Sequence, residues 1–161
     1  MAVLEIKKYP NPILRRKATD VKEITPEIQK LAEDTTETMQ QNQGVGLAAS
    51  QVGESKRIIA VQTEEGPRVF INPKITKKSK EKDDAEEGCL SLPGVWLKIN
   101  RAKWIELEAL DINGKKLNIK ADGLFSRVIQ HEIDHLDGIL ITGRISLFQK
   151  IKFFHKRALL R

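Results

Sequence analysis

The sequence predicts an α+β domain: antiparallel or mixed β-sheets around a central helix, with one further helix near the N-terminus and one at the C-terminus. Three observations predict it. Segments of strand character fill the middle of the chain. Helix-period segments with capping residues lie on either side of them, one early and two late. No internal repeat and no Gly/Ser-rich or Pro-rich linker divides the 161 residues, so residues 1–161 read as a single domain.

The first helix is "TPEIQKLAEDTTETMQQNQG". Thr25 is placed to cap it, Pro26 suits its first position, and Ile28, Leu31 and Met39 form a sparse apolar stripe ending near Gly44. "RIIAVQT" and "RVFIN" read as strands joined by a Gly-Pro turn. "KITKKSKEKDDAEE" is a charged stretch, expected as solvated loop or edge strand. "VWLKI" and "AKWIELEAL" read as strands, and Asn113-Gly114 in "DINGKKLNIK" signals a hairpin. In "ADGLFSRVIQHEIDHLDG" Asp122 is a candidate N-cap, Leu124, Val128, His131 and His135 share a helical stripe, and Gly138 is placed to end the helix. The last helix spans about 146–160. Its stripe of Leu147, Ile151, Phe154 and Ala158 is expected to pack on the core, with Lys150, Lys152, Lys156, Arg157 and Arg161 outward.

Composition narrows the function classes. Apolar residues make up 40% and charged residues 31%, and no apolar run is long enough to cross a bilayer, so a soluble protein is expected. The start "MAVLEIKKYPNPIL" has no signal-peptide core, so the expected location is the cytoplasm, or an organelle interior after presequence removal. Cys89 is the sole cysteine, which excludes an internal disulfide and suits a reducing compartment. The net charge of +6 makes attraction to a polyanion plausible.

The chemistry is carried by "QHEIDHLDG", residues 130–138. On a helix, residues i and i+4 lie one turn apart, about 6 Å along the axis, on one face. His131 and His135 can therefore point at one ion, and Glu132 can reach a water on that ion without ligating it. A catalytic site usually takes three protein ligands. His155, the remaining histidine, sits in a basic segment unfavourable to a dication. Cys89 is the soft donor left, in a segment, "EEGCLSLPG", shaped by backbone geometry. An Asp or Glu ligand stays open on spacing alone.

Three blocks in order, "GVGLAASQVG" (44–53), "EGCLSLPG" (87–94) and "QHEIDHLDG" (130–138), resemble the signatures of the peptide deformylases, and the resemblance covers essentially the whole chain. It implies a metal-dependent amide hydrolase that removes the N-formyl group from the formylmethionine of newly made proteins and releases formate. By motif, Cys89, His131 and His135 are the metal ligands and Glu132 the general base and acid. Ferrous iron is the expected cellular metal, one divalent ion per chain, with zinc, nickel or cobalt able to take its place. The resemblance adds the Gln51 amide and the Leu90 backbone N–H as oxyanion donors. Gly44 and Gly46, which permit close backbone approach, would border a cleft where the peptide lies extended.

For the methionine pocket the candidates by position are Val45, Leu124 and Val128, with the aliphatic part of Arg127 at the rim. Glu87 is expected to order the cysteine loop through Arg101. Gly94 and Trp96 stand where the family often has polar residues, so substrate preference beyond methionine is left open. The basic C-terminal helix is expected to contact the ribosome. No DNA and no membrane partner is expected.

Overall fold

The computed structural model describes residues 2–158, and the side chains of 154 and 156–158 fall outside that description. Its element order is α1 (Pro26–Gln41), β1 (Gly46–Ala48), β2 (Ile58–Thr63), β3 (Gly66–Lys78), β4 (Lys82–Cys89), β5 (Leu92–Ala102), β6 (Trp104–Leu110), β7 (Lys116–Asp122), α2 (Gly123–Leu136) and α3 (Leu147–Ala158). Five strands form one antiparallel sheet in the order β1-β2-β3-β6-β7, which leaves β1 on an edge, and β4-β5 form a separate hairpin. This is the α+β architecture the sequence predicts, with α2 central.

Alternation places the layers. On β2, Ile59 and Val61 face α2, where they join Phe70, Ile105, Leu107, Val128, Ile129 and Leu136. Ile58 and Ala60 face the other way, toward Ala32 and Met39 of α1. Both faces of the strand are thus buried, which fits its unbroken apolar run. A further cluster of Leu14, Leu92, Ile99 and Leu140 joins the β4-β5 hairpin to the N-terminal segment.

α1 starts as expected: the Ile28 N–H donates to the Thr25 hydroxyl at 3.4 Å, with Pro26 in the first turn. Asp122 does occupy the N-cap position of α2, but its side chain makes no capping hydrogen bond. Gly138 follows the helix with φ +72°, and a Cβ there would lie 2.5 Å from the Arg15 carbonyl oxygen. That position therefore needs glycine for both its conformation and its space.

Two strand readings need correction. The reversal between β2 and β3 falls at Glu64 and Glu65, and Gly66-Pro67 already belong to β3. β3 runs past Asn72-Pro73 to Lys78, because Asn72 takes a φ of +51° at a register shift and its side-chain amide clasps the Val21 N–H and carbonyl, both at 2.8 Å. Of the two forms expected for the charged stretch, the strand is the one observed, as the end of β3 and most of β4.

The C-terminal stripe also needs correction. Leu147 and Ile151 are 75% and 60% exposed, so they do not pack on the core. The helix instead reaches the core through Phe153. Lys152 is exposed and Lys150 half-buried; the side chains of Phe154, Lys156, Arg157 and Ala158, and all of Arg161, lie outside the described residues.

Candidate metal centre

Two elements bring the donors together. α2 carries His131 and His135 on one face, and Cys89 ends β4, where the hairpin turns back. His131 Nε2 and His135 Nε2 are 3.2 Å apart, and His135 Nε2 is 3.2 Å from Cys89 Sγ. All three donor atoms lie within 4.8 Å of one another. Metal–ligand bonds of about 2.0–2.3 Å from one centre require separations of this size, so the three residues fit a single divalent ion.

The electrostatics fit as well. Burial opposes a charge on His131, but hydrogen bonds to Cys89 and Glu87 and the charge of Glu132 raise its pKa to about 10. The surroundings thus favour a cation among these groups, a demand a metal ion meets. Burial, with the charge of His131, pushes His135 well below its ordinary value, toward the neutral form that ligates.

Glu132 is 4% exposed, and its Oε2 has no hydrogen-bond partner among the described residues. Burial pushes its carboxyl up to about 7, against the pull of His131 and Arg101. Gly46 of β1 makes this arrangement fit: a Cβ there would lie 2.4 Å from Glu132 Oε1 and 2.7 Å from Val128. Gly44 is similarly close, with Leu90 Cδ1 2.9 Å from the Cβ it lacks.

Gln51 is oriented by its own turn. Its Oε1 accepts the Ala48 N–H at 2.9 Å, which turns Nε2 toward Ser91 Oγ at 3.1 Å and Cys89 Sγ at 3.6 Å. The amide N–H group therefore sits beside the cysteine, and Leu90 follows the cysteine directly.

A cleft of about 480 Å³ opens onto these groups, between residues 43–46 on one side and the β4-β5 turn on the other. Val128 lies buried in it, while Val45 and Leu124 are exposed at its mouth. Trp96 lies against Gly88, with ring atoms 3.1 Å from the Cβ that glycine lacks. Arg127 lines the cleft but is no rim residue. It is 7% exposed, and its guanidinium donates to Glu87 Oε1, the Ile99 carbonyl and Asp83 at 2.8–3.0 Å, tying β4 to α2.

Glu87 and Arg101 form the support beneath the centre. Glu87 accepts from Arg101 Nε and Nη2 at 2.9 Å and from Arg127 at 2.8 Å, and its Oε2 is 2.9 Å from His131 Nδ1. Burial alone would raise its pKa, but the hydrogen bonds from Arg101 and His131 bring it down to about 2. It stays ionised and holds the His131 ring so that Nε2 faces inward. Arg101 also reaches Asp134 Oδ2 at 2.6 Å, and Asp134 accepts from Arg144 as well. Asp134 and Arg144 were not foreseen from the sequence; a carboxylate inside the "HEIDH" helix was the available hint.

Also unforeseen is a strap made by the first 18 residues. The Lys7 N–H donates to the Gln51 carbonyl at 2.7 Å, Tyr9 to Ser91 at 2.9 Å and Ala18 to Leu136 at 2.7 Å. It touches each of the three sequence blocks or the helix that carries one.

The family model described as polypeptide deformylase matches residues 3–150. A peptide deformylase of Desulforudis audaxviator is 46% identical over 94% of this chain and 99% of its own length. One from Thermodesulfovibrio yellowstonii is 47% identical, covering 98% and 97%. Among solved structures, the peptide deformylase of Ehrlichia chaffeensis in complex with actinonin superposes with a TM-score of 0.91 at 42% identity, covering 97% of this chain and 96% of that one. That of Thermotoga maritima gives 0.88 at 39% identity, covering 91% and 99%.

Proposed function

The chain belongs to the polypeptide deformylase family, and from that premise we infer that Cys89, His131 and His135 hold one divalent metal beside Glu132 as the catalytic carboxylate. The reaction is hydrolysis of the formyl amide on the N-terminal formylmethionine of a new protein, with release of formate. The observation that carries the reading is the convergence of the three donor atoms next to the unpartnered Glu132 oxygen.

A divalent metal held by Cys89, His131 and His135 would supply Lewis acidity and make hydroxide available from water near neutral pH. Glu132 would accept the proton of the attacking water and later hand it to the leaving amine. The Gln51 amide and the Leu90 N–H would donate to the oxyanion that develops on the formyl oxygen; loss of one such donor costs about 10²–10³ in rate. The peptide lies extended along the open edge of β1, where Gly44 and Gly46 let its backbone come close. Val45, Leu124 and Val128 surround the methionine side chain. Ferrous iron is the expected metal in the cell, and zinc, nickel or cobalt suit the same Cys-His-His set.

No described helix is long and apolar enough to cross a membrane; a cytoplasmic or organelle-interior location belongs with this reading. So does ribosome contact through α3, supported by its exposed Lys152 and apolar face. Deleting residues 151–161 is expected to weaken co-sedimentation with ribosomes in a salt-dependent way, and unchanged sedimentation of the folded truncation would rule that contact out.

The test of the catalytic reading is formate release from formyl-Met-Ala-Ser by anaerobically prepared, iron- or nickel-loaded protein, alongside Glu132→Ala. Metal-dependent release that collapses in the variant supports the reading. No release from folded, metal-loaded wild-type protein refutes it.

A further inference from the structure

A second cavity lies across α2 from the metal cleft, and it is larger, about 780 Å³ against about 480 Å³. Its walls are the far half of β3, the start of β4, the end of β5 and the segment around Lys17. α2 lines it through Gln130, Ile133 and Asp134, with Asp137 just past its end, a different face from the one carrying His131 and His135. Eight Lys and Arg line it against three Asp, a net of +5 in a chain whose total is +6.

We propose that this groove docks double-stranded RNA through its phosphodiester backbone. The placement of the charges distinguishes such a partner from a compact anion. The three guanidiniums of the groove are already engaged: Arg57 on Asp137 at 2.7 Å, Arg101 on Asp134 at 2.6 Å and Arg144 on Asp134 at 2.9 Å. A small phosphate entering among them would meet those carboxylates. Of the five lysines, Lys77 lies 3.7 Å from Glu106; the other four, Lys17, Lys74, Lys78 and Lys82, are all exposed and without a carboxylate partner among the described residues. They come from three stretches of chain, Lys74 and Lys78 both on β3, and all four line the groove. A partner that satisfies all four lies across the groove and carries negative charge at intervals, as a phosphate backbone does.

The lining also says what is not read. Among the described residues no aromatic side chain or methionine lines the groove. It therefore lacks the anchors that hold a protein partner and the ring faces on which unpaired bases stack. Lysines alone position a backbone without reading its sequence. The choice of RNA over DNA rests on the functional reading above, because a protein still being made is surrounded by RNA.

The experiment uses full-length, metal-loaded protein and a labelled RNA hairpin, with anisotropy followed from about 50 to 200 mM salt. The test variant combines Lys17→Gln, Lys74→Gln, Lys78→Gln and Lys82→Gln; Lys150→Gln with Lys152→Gln on α3 is the control. Wild-type protein is expected to bind. The four-site variant should bind at least tenfold more weakly, with a log–log salt slope shallower by about 3.6, about 0.9 per lost contact. Its formate release should stay within about twofold of wild type, which shows that it is folded. Wild-type affinity and slope in the four-site variant would overturn the proposal, as would an equal loss in the control. So would binding of duplex DNA or polyglutamate by protein that ignores the hairpin. Hairpin binding by wild-type protein that releases no formate would leave the groove standing and remove the catalytic reading alone.

Discussion

The Glu87 carboxylate and the Arg101 guanidinium meet edge to edge, at 2.9 Å on both arms, with their side chains 5% and 4% exposed. Arg101 also holds Asp134, so one guanidinium stands between two buried carboxylates. Arg101→Met would leave both short of a partner. Each carboxylate would keep one cation, Glu87 its Arg127 and Asp134 its Arg144, so a loss of about 1.5–3 kcal/mol is expected in urea unfolding, the cost of the charge-assisted hydrogen bonds removed. Because Glu87 orients His131, metal affinity should fall about 10–100-fold in a competition with a chromophoric chelator. Lowered stability with unchanged affinity would show that the network does not act on the centre.

Gly46→Ala tests the close approach of β1 to α2. The added methyl would sit 2.4 Å from Glu132 Oε1, so the carboxylate or the strand must shift. A displacement of about 1 Å costs about 10²-fold in rate, and a loss of that order in kcat/KM for formyl-Met-Ala-Ser is expected. Thermal unfolding measured alongside separates this from general damage. A variant with wild-type kcat/KM would show that Glu132 tolerates the shift.

Gly138→Ala tests the end of the metal helix. The position combines φ +72° with a contact of 2.5 Å to the Arg15 carbonyl oxygen. Together these are expected to cost about 2 kcal/mol, a fall in Tm of roughly 4–8 °C for a chain of this size. Calorimetry on the metal-loaded protein measures it; an unchanged Tm would mean that the N-terminal segment gives way freely.

Asp34 supplies a pH dependence remote from the metal. Hydrogen bonds from the Lys30 ammonium and the Ala2 N–H hold its carboxyl below its ordinary 3.8. Its pKa is lowered on folding, so its stabilisation is complete well above 3.8 and fades as pH falls through the lower folded value. Hydrogen exchange at the Leu4 amide, bonded to Thr38 Oγ1 at 2.9 Å, should accelerate across that acid range beyond the intrinsic trend. Asp34→Asn should exchange faster at neutral pH and lose the acid dependence. Identical exchange profiles would mean that the arm is held by other contacts.

The parts of the fold most legible in the sequence were those governed by periodicity. α2 announced itself because apolar residues and both histidines recur at helical spacing and glycine closes the run. β4 showed only as an alternative to loop, because a strand of a two-stranded hairpin can be charged on both faces and still form through its backbone pairing with β5. β3 stopped short in the sequence reading at Asn72-Pro73, ordinarily a turn signal; the clasp on Val21 that carries the strand through depends on a residue 51 positions away. On α3 the helical period was right, but the period does not say which side meets the core, and Phe153 meets it rather than Leu147. In the centre, the residues with distinctive chemistry could be named in advance. Asp134 and Arg144 could not, since an acid or base that will be buried looks in sequence like one left in water.

The N-terminal strap has a consequence for the life of the chain. The cysteine and the strap leave the site of synthesis well before the two histidines, and the strap has no helix end to close on until Leu136 has been added. An unfinished copy therefore has no complete set of donors with which to gather metal. The three donors converge only once α2 has been made, so a fragment that stops before His135 lacks the full set.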